Sequence, residues 1–415
     1  MRWIYALSIF GYKSLIYYAA LLGNNKARQW REGRKNWQKK LRNAPLDPNK
    51  ISCWFHCASL GEFEQGRPVI ESFKRTHPDY QVILTFFSPS GYELKKDYGF
   101  ADYVCYLPLD TKKNAREFIK LIKPKLALFV KYEFWHFYIR ELNKQHIPSL
   151  FFSCHFRPGQ LFFKPIGSWY RKTIHTIDDI YVQTEESATL LRQINYQRVK
   201  VTGDTRFDRV IDIAEQKKDI IFAEAFKDKA FTIVAGSTWP EDEKLLATSI
   251  RQAKADLKLI IAPHEIHESH IQDIENRFKD AIRYSKAQLE QVRQANVLII
   301  DNIGMLSSLY QYADIAYVGG GFGKGIHNIL EAAVYGAPVL FGPNYERFNE
   351  AHELIACQGA FTIKNINEAV ALLDNFTLKH GALNFSSKQA KEYVYQRAGA
   401  SQHVLDWITG QLSKN

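Results

Sequence analysis

Cysteine is scarce and poorly placed for cross-linking: the 415 residues hold five, Cys53, Cys57, Cys105, Cys154 and Cys357, with no CxxC pair. An odd, scattered set excludes a disulfide framework and a structural zinc site. It leaves small buried thiols in a reducing compartment. Metal-ligand spacing is missing too, since His56, His155, His264 and His327 fit neither HExxH nor any short pattern. There is no P-loop signature, and GxGxxG does not follow a first strand. Short-period repeats and low-complexity tracts are absent, which sets aside solenoids and disordered tails. Acidic residues fall short of basic ones, 44 against 55, for a formal charge of +11. That excess implies acidic company: nucleic acid, anionic lipid or a phosphorylated substrate.

What is present begins with an apolar N-terminal stretch, Trp3 to Gly23, about the length needed to span a bilayer core. It carries Lys13 near its middle and lacks a small-residue cleavage site, so a retained anchor is expected, either spanning or lying in the membrane plane. Lys26, Arg28, Arg31, Arg34, Lys35, Lys39, Lys40 and Arg42 follow, opposed only by Glu32. Beside an apolar segment such a run suits anionic headgroups. A solvated helix face and an RNA-binding arm using Trp30 and Trp37 are the alternatives. A nucleic-acid binder would interleave basic and aromatic residues across a sheet face, whereas this run is confined to 26–42.

From about residue 50, short apolar runs alternate with amphipathic stretches, the pattern of parallel sheets covered by helices. Expected strands in the first half are 51–57, 81–86, 103–106, 125–130, 149–153 and 179–183; in the second, 231–235, 257–262, 297–300, 315–318 and 338–341. Expected organisation is an anchor and basic segment at 1–45, a Rossmann-like domain at 46–210, a linker at 211–228, and a second Rossmann-like domain with terminal helices at 229–415. The fold class is α/β, with two Rossmann-like domains facing across a cleft.

Ligands of such sheets bind beyond the carboxyl ends of the strands, and four loops there stand out. In the first, 56–63, Gly61 is read as making a sharp turn before Glu62 opens a helix; Glu62 is either a structural cap or a general base at the cleft mouth, with Ser59 beside it. In the second, Lys131 and Glu133 at a strand end can orient a polar ligand or pair with other charges. The third runs from Gly236, Ser237 and Thr238 into a helix, and its amides suit a phosphate. The fourth packs five glycines into residues 319–325. Gly321 and its neighbours permit close backbone approach to a ligand, with a helix expected near His327; Asn328 and Glu331 lie one turn apart, able to reach a sugar hydroxyl.

Together, in this order, these loops resemble the transferases of 3-deoxy-D-manno-octulosonic acid (Kdo) of lipopolysaccharide synthesis, a family of GT-B glycosyltransferases. The matching stretches are ASLGEF at 58–63, EFW at 133–135, AGST at 235–238, AP at 262–263, DNIGML at 301–306 and GIHNILEAAVYGAPVLFGP at 325–343. The resemblance implies Glu62 as the general base toward the acceptor hydroxyl, and Glu133 as a second acidic residue contacting the acceptor. Pro263 and His264, then Gly304, Met305 and Leu306, then Asn328, Ile329, Leu330 and Glu331 match the segments holding CMP. It further implies CMP-Kdo as donor, a lipid A precursor of lipid IVA type as acceptor, inversion, and neither cofactor nor metal. The expected location is the cytoplasmic side of a Gram-negative inner membrane, on an anionic surface and without nucleic acid. The alternatives are a GT-B enzyme using another nucleotide sugar, or a basic membrane- or nucleic-acid-binding protein. The chain departs from the family pattern at Lys131, Trp239, His264 and Met305. His264 stands where an arginine would clamp the donor phosphate, and Arg157, Arg206 or Lys324 are the candidates to replace it.

Overall fold

The computed structural model describes residues 2–216 and 218–414. The chain divides into two compact units, residues 1–209 with 398–415, and residues 210–397. Each is built on a seven-stranded, wholly parallel sheet.

In the first unit the strands are β1 (Ser52–Cys57), β2 (Gln81–Phe86), β3 (Tyr103–Tyr106), β4 (Pro124–Val130), β5 (Ser149–Cys154), β6 (Asp179–Val182) and β7 (Val199–Val201), in the order β3-β2-β1-β4-β5-β6-β7. Central strands such as SCWFHC and SLFFSC are buried at every position, as a parallel sheet covered on both faces requires. One apolar layer gathers around Trp54, Phe129 and Tyr138, the other around Phe55, Phe73 and Phe152.

The second unit contains β8 (Thr232–Thr238), β9 (Lys258–Pro263), β10 (Ala281–Arg283), β11 (Val297–Ile299), β12 (Ile315–Val318), β13 (Val339–Phe341) and β14 (Ala360–Thr362), ordered β10-β11-β9-β8-β12-β13-β14. Its core collects Leu259, Ile261, Tyr317 and Phe376. In each sheet the strand order reverses beside the first strand, between β1 and β4 and between β8 and β12; the second sheet also turns back at its edge, where β10 lies outside β11. Ligand sites of open α/β sheets form at such reversals.

Two boundaries differ from expectation. The linker expected at 211–228 falls inside the second unit: the helix Thr205–Glu215 runs into it and the helix Ile221–Lys227 fills most of the rest. The final helix Ala400–Leu412, assigned above to the second domain, belongs to the first unit. Val404 and Ile408 are wholly buried there in the layer with Phe55 and Leu128. Trp407 donates to Asp179 at 2.8 Å, and the Asp208 carboxylate accepts from the amides of Gly399 and Ser401. An apolar helix face joins whichever core it can cover, regardless of chain order.

The helix Arg2–Leu21 has the length and composition to cross a membrane. It lies along the first unit, fixed by Tyr5 near one end, Tyr12 midway and the buried Ala20 near the other. The Tyr5 hydroxyl donates to Asp110 at 2.5 Å, and its ring packs on His136 and Trp169. Trp3, Leu7, Phe10, Leu15 and Leu21 stay exposed on the other side. Of the basic run that follows, Arg34 turns inward. Its guanidinium lies 4.0 Å over Trp30 and donates to the carbonyls of Leu107, Trp30 and Phe87, and burial pulls its pKa down to about 9. Trp30 is buried and Trp37 packs against the core, so neither stands ready to stack on a base.

Candidate active site

At the reversal point of the first sheet, the chain leaving β1 and the chain leaving β4 bring Glu62, Lys131, Ser59 and Glu133 together. The helix after β1 begins at Leu60, with Ser59 extended at its N-cap. Gly61 is therefore not the turn: it is the second residue of a regular helix, and an added Cβ would meet nothing nearer than the Ser59 hydroxyl at 3.7 Å. Placing Glu62 in the first helical turn aims its carboxylate back across the strand ends. There Oε1 accepts from Lys131 Nζ at 3.1 Å and Oε2 accepts from the Ser59 hydroxyl. Lys131 reaches it from a left-handed backbone conformation, φ 61°, immediately after β4. Such a conformation at a non-glycine residue is disfavoured and collects at functional sites.

Burial pushes the Glu62 carboxyl up. The Lys131 charge, the Ser59 hydroxyl and the Lys131 hydrogen bond outweigh it, and hold the group below the usual glutamate range. Glu133 goes the other way: burial first, and then the Glu62 charge, push its carboxyl up to about 7 against the pull of Lys131. Two neighbouring carboxyls displaced in opposite directions are an arrangement that separates acid–base roles. Lys131 thus pairs with Glu62 rather than with Glu133.

Behind them, His56 is structural. Trp135 Nε1 donates to His56 Nε2 at 3.0 Å, which puts the proton on Nδ1, 2.8 Å from the Thr85 hydroxyl. Burial drives its pKa down to about 3, so the ring is neutral.

The loops of the second unit are tied to one another rather than open. Gly236, Ser237 and Thr238 lie inside β8, which bulges there, with Ser237 at φ 54°. The Thr238 hydroxyl is buried and donates to Glu243 at 3.1 Å. The glycines serve packing first. A Cβ on Gly319 would meet the Ser237 carbonyl at 2.3 Å, and one on Gly321 the Gly342 amide nitrogen at 2.5 Å. The buried Asp242 carboxylate accepts from the amides of Trp239 (2.9 Å) and Gly320 (3.0 Å) and from the Tyr317 hydroxyl (2.6 Å). A carboxylate from the chain's own helix thus already holds one amide of the Gly-rich turn, that of Gly320.

The helix expected near His327 begins only at Leu330. Asn328 and Glu331 do face the same way, and they bond each other at 3.0 Å; the other Glu331 oxygen accepts from Ser307 at 2.6 Å. That bond joins segment 304–306 to segment 328–331. Ser307 was not singled out from sequence, and nothing local marks it. Gly304 and Met305 border a hollow of about 430 Å³ with Tyr284 and Phe222. Pro263 ends β9, and His264 stands exposed beyond it, its ring stacked on Trp239 (4.7 Å) and on His327 (4.6 Å), with Trp239 Nε1 donating to His327 Nε2 at 3.4 Å. Burial, then the neighbouring His264, lowers the His327 pKa. Of the three candidates for the missing arginine, Arg206 is bound to Asp204 at 2.8 Å, while Arg157 and Lys324 are exposed. Among the described residues no group of three or more His, Cys, Asp or Glu side chains is arranged to hold a metal ion.

The family model described as 3-deoxy-D-manno-octulosonic-acid transferase (kdotransferase) matches residues 30–209. A 3-deoxy-D-manno-octulosonic acid transferase of Aquifex aeolicus is 31% identical over 330 residues, 78% of this chain and 85% of its own length. The transferase of that name from Haemophilus influenzae is 26% identical over 390 residues, 90% of each chain. Among solved structures, the UDP-GlcNAc 2-epimerase of Neisseria meningitidis superposes with a TM-score of 0.61 at 20% identity, over 88% of this chain and all of the other, a likeness of fold.

Proposed function

Because the chain belongs to the 3-deoxy-D-manno-octulosonic acid transferase family, we propose that it moves Kdo from CMP-Kdo onto a sugar hydroxyl of a lipid A precursor of lipid IVA type. The observation that carries this reading is the Glu62 carboxylate, kept ionised by Lys131 and Ser59 at the reversal point of the first sheet. Glu62 accepts the proton of the acceptor hydroxyl as the new C–O bond forms at the anomeric carbon. The bond to the CMP phosphate breaks on the opposite side, and CMP leaves with the electron pair, so configuration inverts without a metal. A carboxylate held low is a weak base, useful when proton transfer is late and the hydroxyl is already being consumed. Glu133 and Lys131 position the acceptor's polar groups.

In the second unit, Pro263, His264, Gly304, Met305, Leu306 and the segment Asn328 to Glu331 hold CMP, with Gly236, Ser237 and Gly321 supporting them. The helix Arg2–Leu21 attaches the chain to the cytoplasmic side of the inner membrane through its exposed apolar flank, Trp3, Leu7, Phe10, Leu15 and Leu21. Exposed Lys26, Arg28, Lys35, Lys39, Lys40 and Arg42 face anionic headgroups. A second reading makes Glu133 the proton acceptor, favoured by a pKa of about 7 that suits a general base better than that of Glu62.

The test is incubation of purified protein with CMP-Kdo and a tetraacylated, bisphosphorylated lipid A precursor, followed by mass analysis. The expected product carries one or more added Kdo residues. An unmodified acceptor in the presence of intact protein and donor refutes the assignment.

A further inference from the structure

Away from the Glu62 site, the helices Lys112–Ile122, His136–Lys144 and Ser168–Ile174 border a hollow of about 900 Å³. Small-molecule sites span roughly 300–1,000 Å³. Four cations line it, Lys112, Arg140, Lys144 and Lys172, against the single acid Glu141, itself bonded to Gln145. Among the described residues none of the four is paired with a carboxylate or hydrogen-bonded. Arg140 and Lys144 also stand one helical turn apart, where like charges repel. A hollow ringed by unneutralised positive charge suits a doubly charged phosphate.

Its surroundings indicate where that phosphate comes from. Trp169 forms part of the wall, and its ring lies 5.2 Å from Tyr5, the residue that fixes the apolar helix Arg2–Leu21 to this unit. Just before Trp169 the chain exposes Leu161 and Ile166, the latter 70% accessible. The hollow therefore opens beside apolar surface, and an indole at such a border is typical of the headgroup level.

We propose that this hollow binds the phosphate-bearing headgroup of a membrane lipid, separately from the carboxylate site. The inference rests on the membrane-surface reading above. The calorimetric and flotation measurements need no Kdo transfer, so failure of the proposed reaction would leave their result intact.

The probe is dihexanoyl phosphatidic acid, titrated into the full chain in nonionic detergent and followed by calorimetry. Wild type should show one saturable site. Lys144→Gln with Lys172→Gln should weaken it about 30-fold, at about fivefold per cation near an anionic surface. The matched arginine pair should retain it, and so should Lys254→Gln with Lys286→Gln, which removes equal charge from the second unit. Equal binding by wild type and the Lys144/Lys172 pair, or equal loss in the control pair, overturns the proposal. Two further arms separate the lipid sources. Lost flotation with phosphatidylglycerol vesicles at unchanged acceptor KM assigns the site to bulk phospholipid. A raised acceptor KM at unchanged kcat and flotation assigns it to the acceptor's phosphates.

Discussion

Replacing Glu62 by glutamine tests the central carboxylate with minimal change of shape. The amide can still accept from Ser59, but Lys131 loses its charged partner at 3.1 Å. A charge-assisted hydrogen bond contributes about 1.5–3 kcal/mol. The Lys131 side chain is 31% exposed and can rehydrate, which puts the loss near the lower end. That corresponds to a melting shift of about 3–6 °C for a unit of this size. Removing a positioned base lowers the chemical rate by about 10²–10⁴, or about 2.7–5.5 kcal/mol in the barrier. The catalytic loss is thus the larger effect, and it is measurable at 25 °C with the fold intact. The assay is CMP release with detergent-dispersed acceptor, fitted for kcat and KM separately. The expected result is a collapse of kcat with KM within a few-fold. In the wild type, activity should fall on the acid side as Glu62 protonates, below the ordinary glutamate range, whereas a dominant step near pH 7 would point to Glu133. A Glu62→Gln variant within tenfold of wild-type kcat would refute the reasoning.

Two further outcomes follow from burial. Glu133 titrates at about 7 when folded against 4.5 for an ordinary glutamate, so its ionised form is disfavoured in the native state and stability falls as pH rises from the lower value through the higher. Glu133→Gln should raise stability by about 2–3 kcal/mol at pH 8, and the gain should vanish near pH 4, as read from urea midpoints. Deleting residues 398–415 exposes the pocket that Val404, Trp407 and Ile408 fill. At about 1.5–3 kcal/mol per side chain this approaches the whole stability of a domain. The truncated chain should lose cooperative melting of the first unit, and retention of it would show that the helix is dispensable.

The interior strands were legible because burial on both faces forces unbroken apolar runs: β2, β3 and β12 fall on their expected limits. The three strands that were missed, β7, β10 and β14, are three-residue edges reading VKV, AIR and AFT. An edge pairs on one side only and is too short for a periodic signal. At the site, Glu62, Lys131 and Glu133 could be picked out because each sits just past a strand. Their pairing could not, since 69 residues separate Lys131 from Glu62. Gly61 misled because a glycine near a strand end usually marks a turn, while here Ser59 begins the helix one step earlier. Arg34 read as one more surface charge; only the fold reveals the three carbonyls that take it inside.

Asp110 joins the apolar N-terminal helix to the catalytic neighbourhood through a single side chain. The carboxylate that accepts from Tyr5 also accepts from the amides of Phe137 and Tyr138, at the start of the helix that follows Glu133 and Trp135. Trimming the first two dozen residues to obtain a freely soluble enzyme would therefore do more than detach it. It would leave a buried acid, its pKa already raised to about 6 by that burial, short of its phenol donor, and loosen the footing of the helix that follows Glu133. One buried carboxylate thus holds both the N-terminal helix and the helix after Glu133 in place.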